Sequence, residues 1–120
     1  MYPSGLWDGF WQQTGWGRQA MREFHLAFSS DRISGQGTDV VGPFTISGTL
    51  DRSTGGVAFR KQYVGAHAVT YIGRPDGEGS ILGTWTIDNG YAKYEGSFLI
   101  KPVVKRDEGW DEIREIKPGG

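Results

Sequence analysis

Lys61 lies in the run Val57-Ala58-Phe59-Arg60-Lys61-Gln62-Tyr63, where every second residue from Val57 is apolar or aromatic except the lysine itself. The next run, His67-Ala68-Val69-Thr70-Tyr71, sets an imidazole and a second phenol at the same two-residue spacing. Side chains two apart on a strand share a face, so an ammonium, an imidazole and two phenols are expected on one interior wall. That combination supports two readings. In the first, Lys61 is half of a buried ion pair, with Asp39 its first candidate partner and Glu23 its second, because an unpaired ammonium beside Phe59 and Tyr63 is very costly. In the second, Lys61, Tyr63, His67 and Tyr71 orient a ligand in a pocket walled by Trp7, Trp11 and Trp85, which combine flat apolar surface with donors. Arg22 alternates with Phe24, Leu26 and Phe28, and either reaches the same mouth or extends its head into solvent from a strand end.

Other chemistries fail on residue type. His25 and His67 are the only histidines and there is no cysteine, so a three-histidine or thiolate zinc site is excluded, and a two-histidine, one-carboxylate site needs both rings to converge from distant strands. Gly35-Gln36-Gly37-Thr38-Asp39-Val40 has two glycines of a dinucleotide fingerprint but Val40 where the third belongs, and no helix follows it. No serine occupies the strand-to-helix elbow that a hydrolytic triad requires. No metal and no cofactor are expected.

The elements that position these residues are strands. Seven turn signals recur about every ten residues: Thr14 to Gly17, Ser29 to Asp31, Asp39 to Pro43, Ser53 to Gly56, Gly65-Ala66, Asp76 to Gly79, and Asn89-Gly90. Both central residues of a type I′ turn need positive φ, which makes Asn89-Gly90 the clearest hairpin. Between the turns the pattern is two-residue throughout, as in Phe44, Ile46, Gly48, Leu50 and in Ile81, Gly83, Trp85, Ile87. Eight strands with one apolar face and short connections predict an all-β fold, a single closed antiparallel up-and-down barrel over residues 4–103. Glycines inside strands allow the sharp bending that a small barrel needs. Phe24, Leu26, Phe44, Ile46, Phe59, Val69, Ile81, Trp85, Phe98 and Ile100 are its expected core. Residues 104–120 are a charged tail in which Trp110, Ile113 and Ile116 recur every third position, a spacing compatible with one amphipathic helical turn or with no regular structure.

Composition bounds the rest. With 120 residues there is room for one core, and 20 glycines with 16 aromatic residues suit a chain that turns often and packs large rings. Thirteen basic against 14 acidic residues give no electrostatic reason to expect nucleic acid or an anionic membrane. The longest stretch without Asp, Glu, Lys or Arg is the 12 residues from Gln62 to Gly73, too short for the roughly 18 that span a bilayer. Met1-Tyr2-Pro3-Ser4-Gly5 lacks the basic-then-apolar layout of a signal peptide, so a cytoplasmic location is expected. Oligomeric state is left open.

The strings Ile33 to Gly48, Phe59 to Tyr63, His67 to Gly73 and Ile81 to Ile87 resemble a small β-barrel domain family that occurs alone, and are similar to the substrate-recognition barrel of a group of F-box ubiquitin-ligase receptors. In the F-box relatives the resemblance implies protein or peptide recognition; there is no F-box here, and no ubiquitin role carries over. Gly5-Leu6-Trp7 and Gly83-Thr84-Trp85 are more distantly similar to the Gly-x-Trp of the calycin group, the lipocalins and avidins, and imply only a calycin-like architecture. The expected function is a non-enzymatic binding module that holds a small molecule or peptide end at the barrel mouth, with Trp11, Lys61, Tyr63, His67, Tyr71 and Trp85 at the site. One alternative is a protein-interaction domain that uses its outer surface or the Trp110 tail. The other is an enzyme in which Lys61, His67 and Tyr71 perform acid–base work.

Overall fold

Where large apolar residues alternate with polar ones, the chain extends and puts the apolar set on one face. Eight such segments become β1 (Gly5–Gln13), β2 (Gly17–Ser29), β3 (Arg32–Thr38), β4 (Pro43–Leu50), β5 (Val57–Tyr63), β6 (Ala68–Pro75), β7 (Ile81–Asp88) and β8 (Lys93–Pro102). A computed structural model of the chain describes residues 2–88 and 90–103; Asn89 of the expected hairpin and the charged tail with Trp110 lie outside the described residues. Each strand pairs antiparallel with the next, and β1 pairs with β8, so the sheet is a closed up-and-down barrel without a free edge. Among the described residues there is no helix.

All the expected core residues are buried. Deep in the barrel Phe59 stacks on Tyr71 at 4.9 Å with an 11° interplanar angle, and Phe98 meets Tyr71 edge-on at 4.8 Å. Burial of each large side chain contributes about 1.5–3 kcal/mol. The end bearing the β2–β3, β4–β5 and β6–β7 turns is closed by the N-terminal segment. There Tyr2 and Phe28 pack on Trp7, the Tyr2 hydroxyl donates to the Gly55 carbonyl at 2.7 Å, and Trp7 Nε1 donates to the Pro3 carbonyl at 2.9 Å. Trp7 therefore belongs to the plugged end and is not a wall of the mouth as expected.

Two local irregularities correct the alternation. The β2–β3 register shifts between Arg22 and His25, and Glu23 has φ 48°, so β2 carries a bulge. The bulge lets Met21 and Phe24 both point inward and turns Arg22 out to solvent, which removes it from the mouth; Glu23 is exposed as well and is not the partner of Lys61. His67 is the second. Gly65 at φ +72°, with Ala66 N–H donating to the Tyr63 carbonyl at 3.0 Å and Tyr63 N–H to the His67 carbonyl at 3.1 Å, closes the β5–β6 turn. β6 then starts at Ala68 and His67 is an exposed rim residue, not an inward strand position.

Gly96 faces Trp85 across the β7–β8 pair. A Cβ there would meet the Trp85 indole at 2.6 Å and press into the backbone carbonyl of Gln12, the group that accepts the Trp85 Nε1 hydrogen bond. Gly96→Ala is expected to destabilise the barrel by about 1–3 kcal/mol in chemical denaturation, and to shift the emission of Trp85 towards that of an exposed indole. An unchanged spectrum and midpoint would mean that the indole does not depend on this gap.

Candidate functional site

In an antiparallel barrel the β1–β2, β3–β4, β5–β6 and β7–β8 turns share one end, and the candidate site is there. Asp39 opens the β3–β4 turn. Its Oδ1 accepts the Val41 N–H at 2.9 Å while its own N–H donates to the Gly42 carbonyl at 3.1 Å, a local turn that aims the carboxylate into the barrel. The second oxygen, Oδ2, accepts from Lys61 Nζ at 2.8 Å, the Tyr63 hydroxyl at 2.7 Å and Trp11 Nε1 at 3.1 Å. The Lys61 and Asp39 side chains are 1% and 0% exposed.

The ammonium is otherwise surrounded by soft partners. Nζ lies 3.8 Å from the Met21 sulfur and stands over the rings of Phe44, Tyr63, Tyr71 and Trp11 at 4.7, 4.9, 5.1 and 5.6 Å. Cation–π attraction of this kind strengthens as water is removed. Burial alone would raise the Asp39 carboxyl, but the charge and hydrogen bond of Lys61, then those of Tyr63 and Val41, outweigh it and hold the group below its usual 3.8. Burial lowers the Lys61 ammonium from 10.5 to about 8 against the opposing pull of Asp39. The Tyr63 and Tyr71 hydroxyls are pushed well above 10.0, chiefly by burial, then for Tyr63 by its hydrogen bond to Asp39 and for both by the Asp39 charge.

Above this cluster lies a cavity of about 390 Å³, within the range of small-molecule sites. Trp11 of β1, Tyr63 of β5, His67 of the β5–β6 turn, Tyr71 of β6 and Trp85 of β7 all line it. Trp11 and Trp85 meet edge-on at 5.7 Å, and the Tyr63 and His67 rings are 5.2 Å apart. Lys61 is not on the wall; it sits beneath, engaged by Asp39. Ile87 and Tyr94 also line the cavity, and their inward parity was visible in the alternation. Gln13, Trp16 and Val41 line it too, the last two from turns, where no periodicity signals direction.

Each turn at this end exposes a large apolar side chain: Trp16, Val40 and Val41, Val64, and Tyr91. The opposite end presents Asp31, Asp51 and Asp76 in its turns. No group of three or more His, Cys, Asp or Glu side chains is placed to hold a metal ion among the described residues, and His25 lies exposed on the outer face of β2. No helix among the described residues is long and apolar enough to cross a membrane. Compared with known proteins, the chain matches no protein-family model and no curated protein.

Removal of one member of the ion pair leaves the other charge buried. Lys61→Met and Asp39→Asn are each expected to cost about 3–5 kcal/mol, and the double variant less than their sum, because the pair is lost as a unit. Additive losses in a double-mutant cycle would show that the two groups do not stabilise each other.

The pair also sets a pH window. Because the Asp39 pKa is depressed, its contribution is present above 3.8 and is lost as pH falls through the lower folded value. The Lys61 pKa is depressed too, so the unfolded chain holds that proton more tightly between about 8 and 10.5, and this group's contribution rises with pH there. The denaturation midpoint is expected to be level between these limits and to fall in acid. Asp51 and Asp76, held low chiefly by hydrogen bonds from Ser53 and from the Glu78 N–H, share that acid loss. Asp39→Asn should make the acid limb shallower, and an unchanged limb would contradict the assignment.

Proposed function

We propose that the barrel is a non-enzymatic binding module that holds a small molecule or a peptide end in the mouth formed by Trp11, Tyr63, His67, Tyr71 and Trp85. The observation that carries this reading is the convergence of these aromatic side chains, from four strands and a turn, on one cavity that opens to solvent past Trp16, Val41 and Tyr94. Aromatic walls offer large contact area to a flat ligand at small entropic cost. The similarity to a peptide-recognising barrel keeps a peptide end within the proposal. Acid–base catalysis draws less support, since Lys61 is engaged by Asp39 and sits off the cavity wall, leaving His67 at the rim and Tyr71 at the floor.

Nile red, a neutral planar dye, tests the site directly. It is expected to quench tryptophan emission and gain blue-shifted emission of its own with a single saturable stoichiometry. Ile87→Trp, which fills the cavity from its half-buried rim, should weaken dye binding by about tenfold or more with little change in thermal midpoint. Dye binding that ignores this substitution would move the site to the outer surface.

A further inference from the structure

Gln13, Trp16, His67 and Tyr94 bring polar side-chain atoms to the exposed or half-buried rim of the cavity, whereas at its buried floor the polar atoms are nearly all committed to the protein. The Trp11 indole N–H donates to Asp39, the Trp85 indole N–H donates to the Gln12 carbonyl, and the Tyr63 hydroxyl donates to Asp39. Both Asp39 oxygens are occupied, by Val41 on one and by Lys61, Tyr63 and Trp11 on the other. Lys61 and Asp39 compensate each other, so the floor carries no net charge.

The Tyr71 hydroxyl is different. Tyr71 is only 1% exposed, yet its hydroxyl makes no hydrogen bond to any described residue. No fully enclosed side-chain nitrogen or oxygen lacks a partner among the described residues, so this hydroxyl must be the atom through which the side chain opens onto the cavity that it lines. A hydroxyl with no protein partner at the floor of an open cavity is left to water, and a ligand that displaces that water must accept or donate there or leave the hydroxyl unsatisfied. A ligand carboxylate or ammonium placed beside it would meet no uncompensated charge and would remain a buried, unpaired ion.

Resting on the binding-module reading above, we infer that the occupant is an uncharged, planar, largely apolar small molecule, and that the Tyr71 hydroxyl anchors its one hydrogen-bonding atom. The specificity is for a polar atom at the buried end of an apolar body. The body lies against the Trp11 and Trp85 rings and leaves past the exposed side chains of Trp16, Val41 and Tyr94. Charged peptide termini are disfavoured by the same floor.

Three naphthalenes of matched size separate these requirements, measured by displacement of Nile red: 2-acetonaphthone with a carbonyl acceptor, 2-ethylnaphthalene with none, and 2-naphthoate with a charge. The ketone is expected to bind about three- to tenfold tighter than the hydrocarbon, the scale of one net hydrogen bond, and tighter than the anion. In Tyr71→Phe the ketone's advantage should vanish while the hydrocarbon is unaffected. The thermal midpoint should hold or rise, because the ring still stacks on Phe59 and only an unpartnered hydroxyl is gone. Equal affinities for ketone and hydrocarbon would overturn the anchor while sparing the cavity. Tightest binding of naphthoate would overturn the uncharged floor, a lower Tyr71→Phe midpoint would make the hydroxyl structural, and no binding of any naphthalene would overturn the mouth as a site together with this inference.

Discussion

A single carboxylate holds the mouth of this barrel together. One Asp39 oxygen keeps the β3–β4 turn in shape through Val41, and the other collects donors from β1 and β5, strands four apart in an eight-stranded ring. Backbone hydrogen bonds run only between neighbouring strands, so they set the circumference but do not tie one wall to the opposite one. Asp39 does so with three short bonds in a dry setting, where charge-assisted hydrogen bonds are about twice as strong as neutral ones. The cost of taking Lys61 and Asp39 out of water is large, and attraction, the added donors and the rings of Phe44, Tyr63, Tyr71 and Trp11 offset it. An apolar pair of similar volume could fill the same space, but it would not dictate which turn meets which strands.

That arrangement also determines what the cavity can offer. Any cation or carboxylate exposed in the mouth would select a charged ligand, and here both are sealed and mutually neutralised. The two indoles meet edge-on, turn their N–H groups to protein oxygens and leave ring surface towards the cavity. The ion pair therefore braces the mouth while keeping both of its charges off the cavity wall. Of the two readings of Lys61, the buried ion pair with Asp39 is the one found, and Lys61 is not among the residues that line the cavity.

The architecture was readable from alternation and turn residues because a two-residue period with polar turns every ten residues leaves few ways to bury one face of eight strands. The ion pair was expected with two candidate partners, and the first of them, Asp39, is the one that Lys61 meets. Arg22 takes the solvent-facing one of its two expected placements, and His67 was misplaced, for a common reason. Alternation counts residues, and one bulge in β2 or one glycine at positive φ in the β5–β6 turn shifts the count without altering composition. Trp7 was misassigned for another reason, since it shares the inward face with Trp11 and only its distance along β1 separates them. Four residues of strand span roughly 13 Å, enough to put the two indoles at opposite ends. Trp16 and Val41 line the cavity from turns, where residue type gives no direction.

The contrast between the two ends explains why there is a cavity at all. At Trp7 the end is filled by hydrocarbon and ring surface: Tyr2 and Phe28 pack on the indole, and Ser4 Oγ receives the Phe28 N–H at 2.8 Å, so the N-terminal segment is stitched across the opening. Close packing there leaves nothing to occupy, and its turns are polar. At Trp11 no described segment crosses the opening, so the rim has to be held by groups that reach across from the walls. Asp39 supplies that bracing from below the rim, which keeps the strands apart without filling the space above them. The rings over that space remain unpacked on one side and the turns around it remain apolar. A structure that spent the same residues on packing would have closed this end as tightly as the other. The ion pair braces an open, aromatic mouth and keeps both of its own charges off the wall.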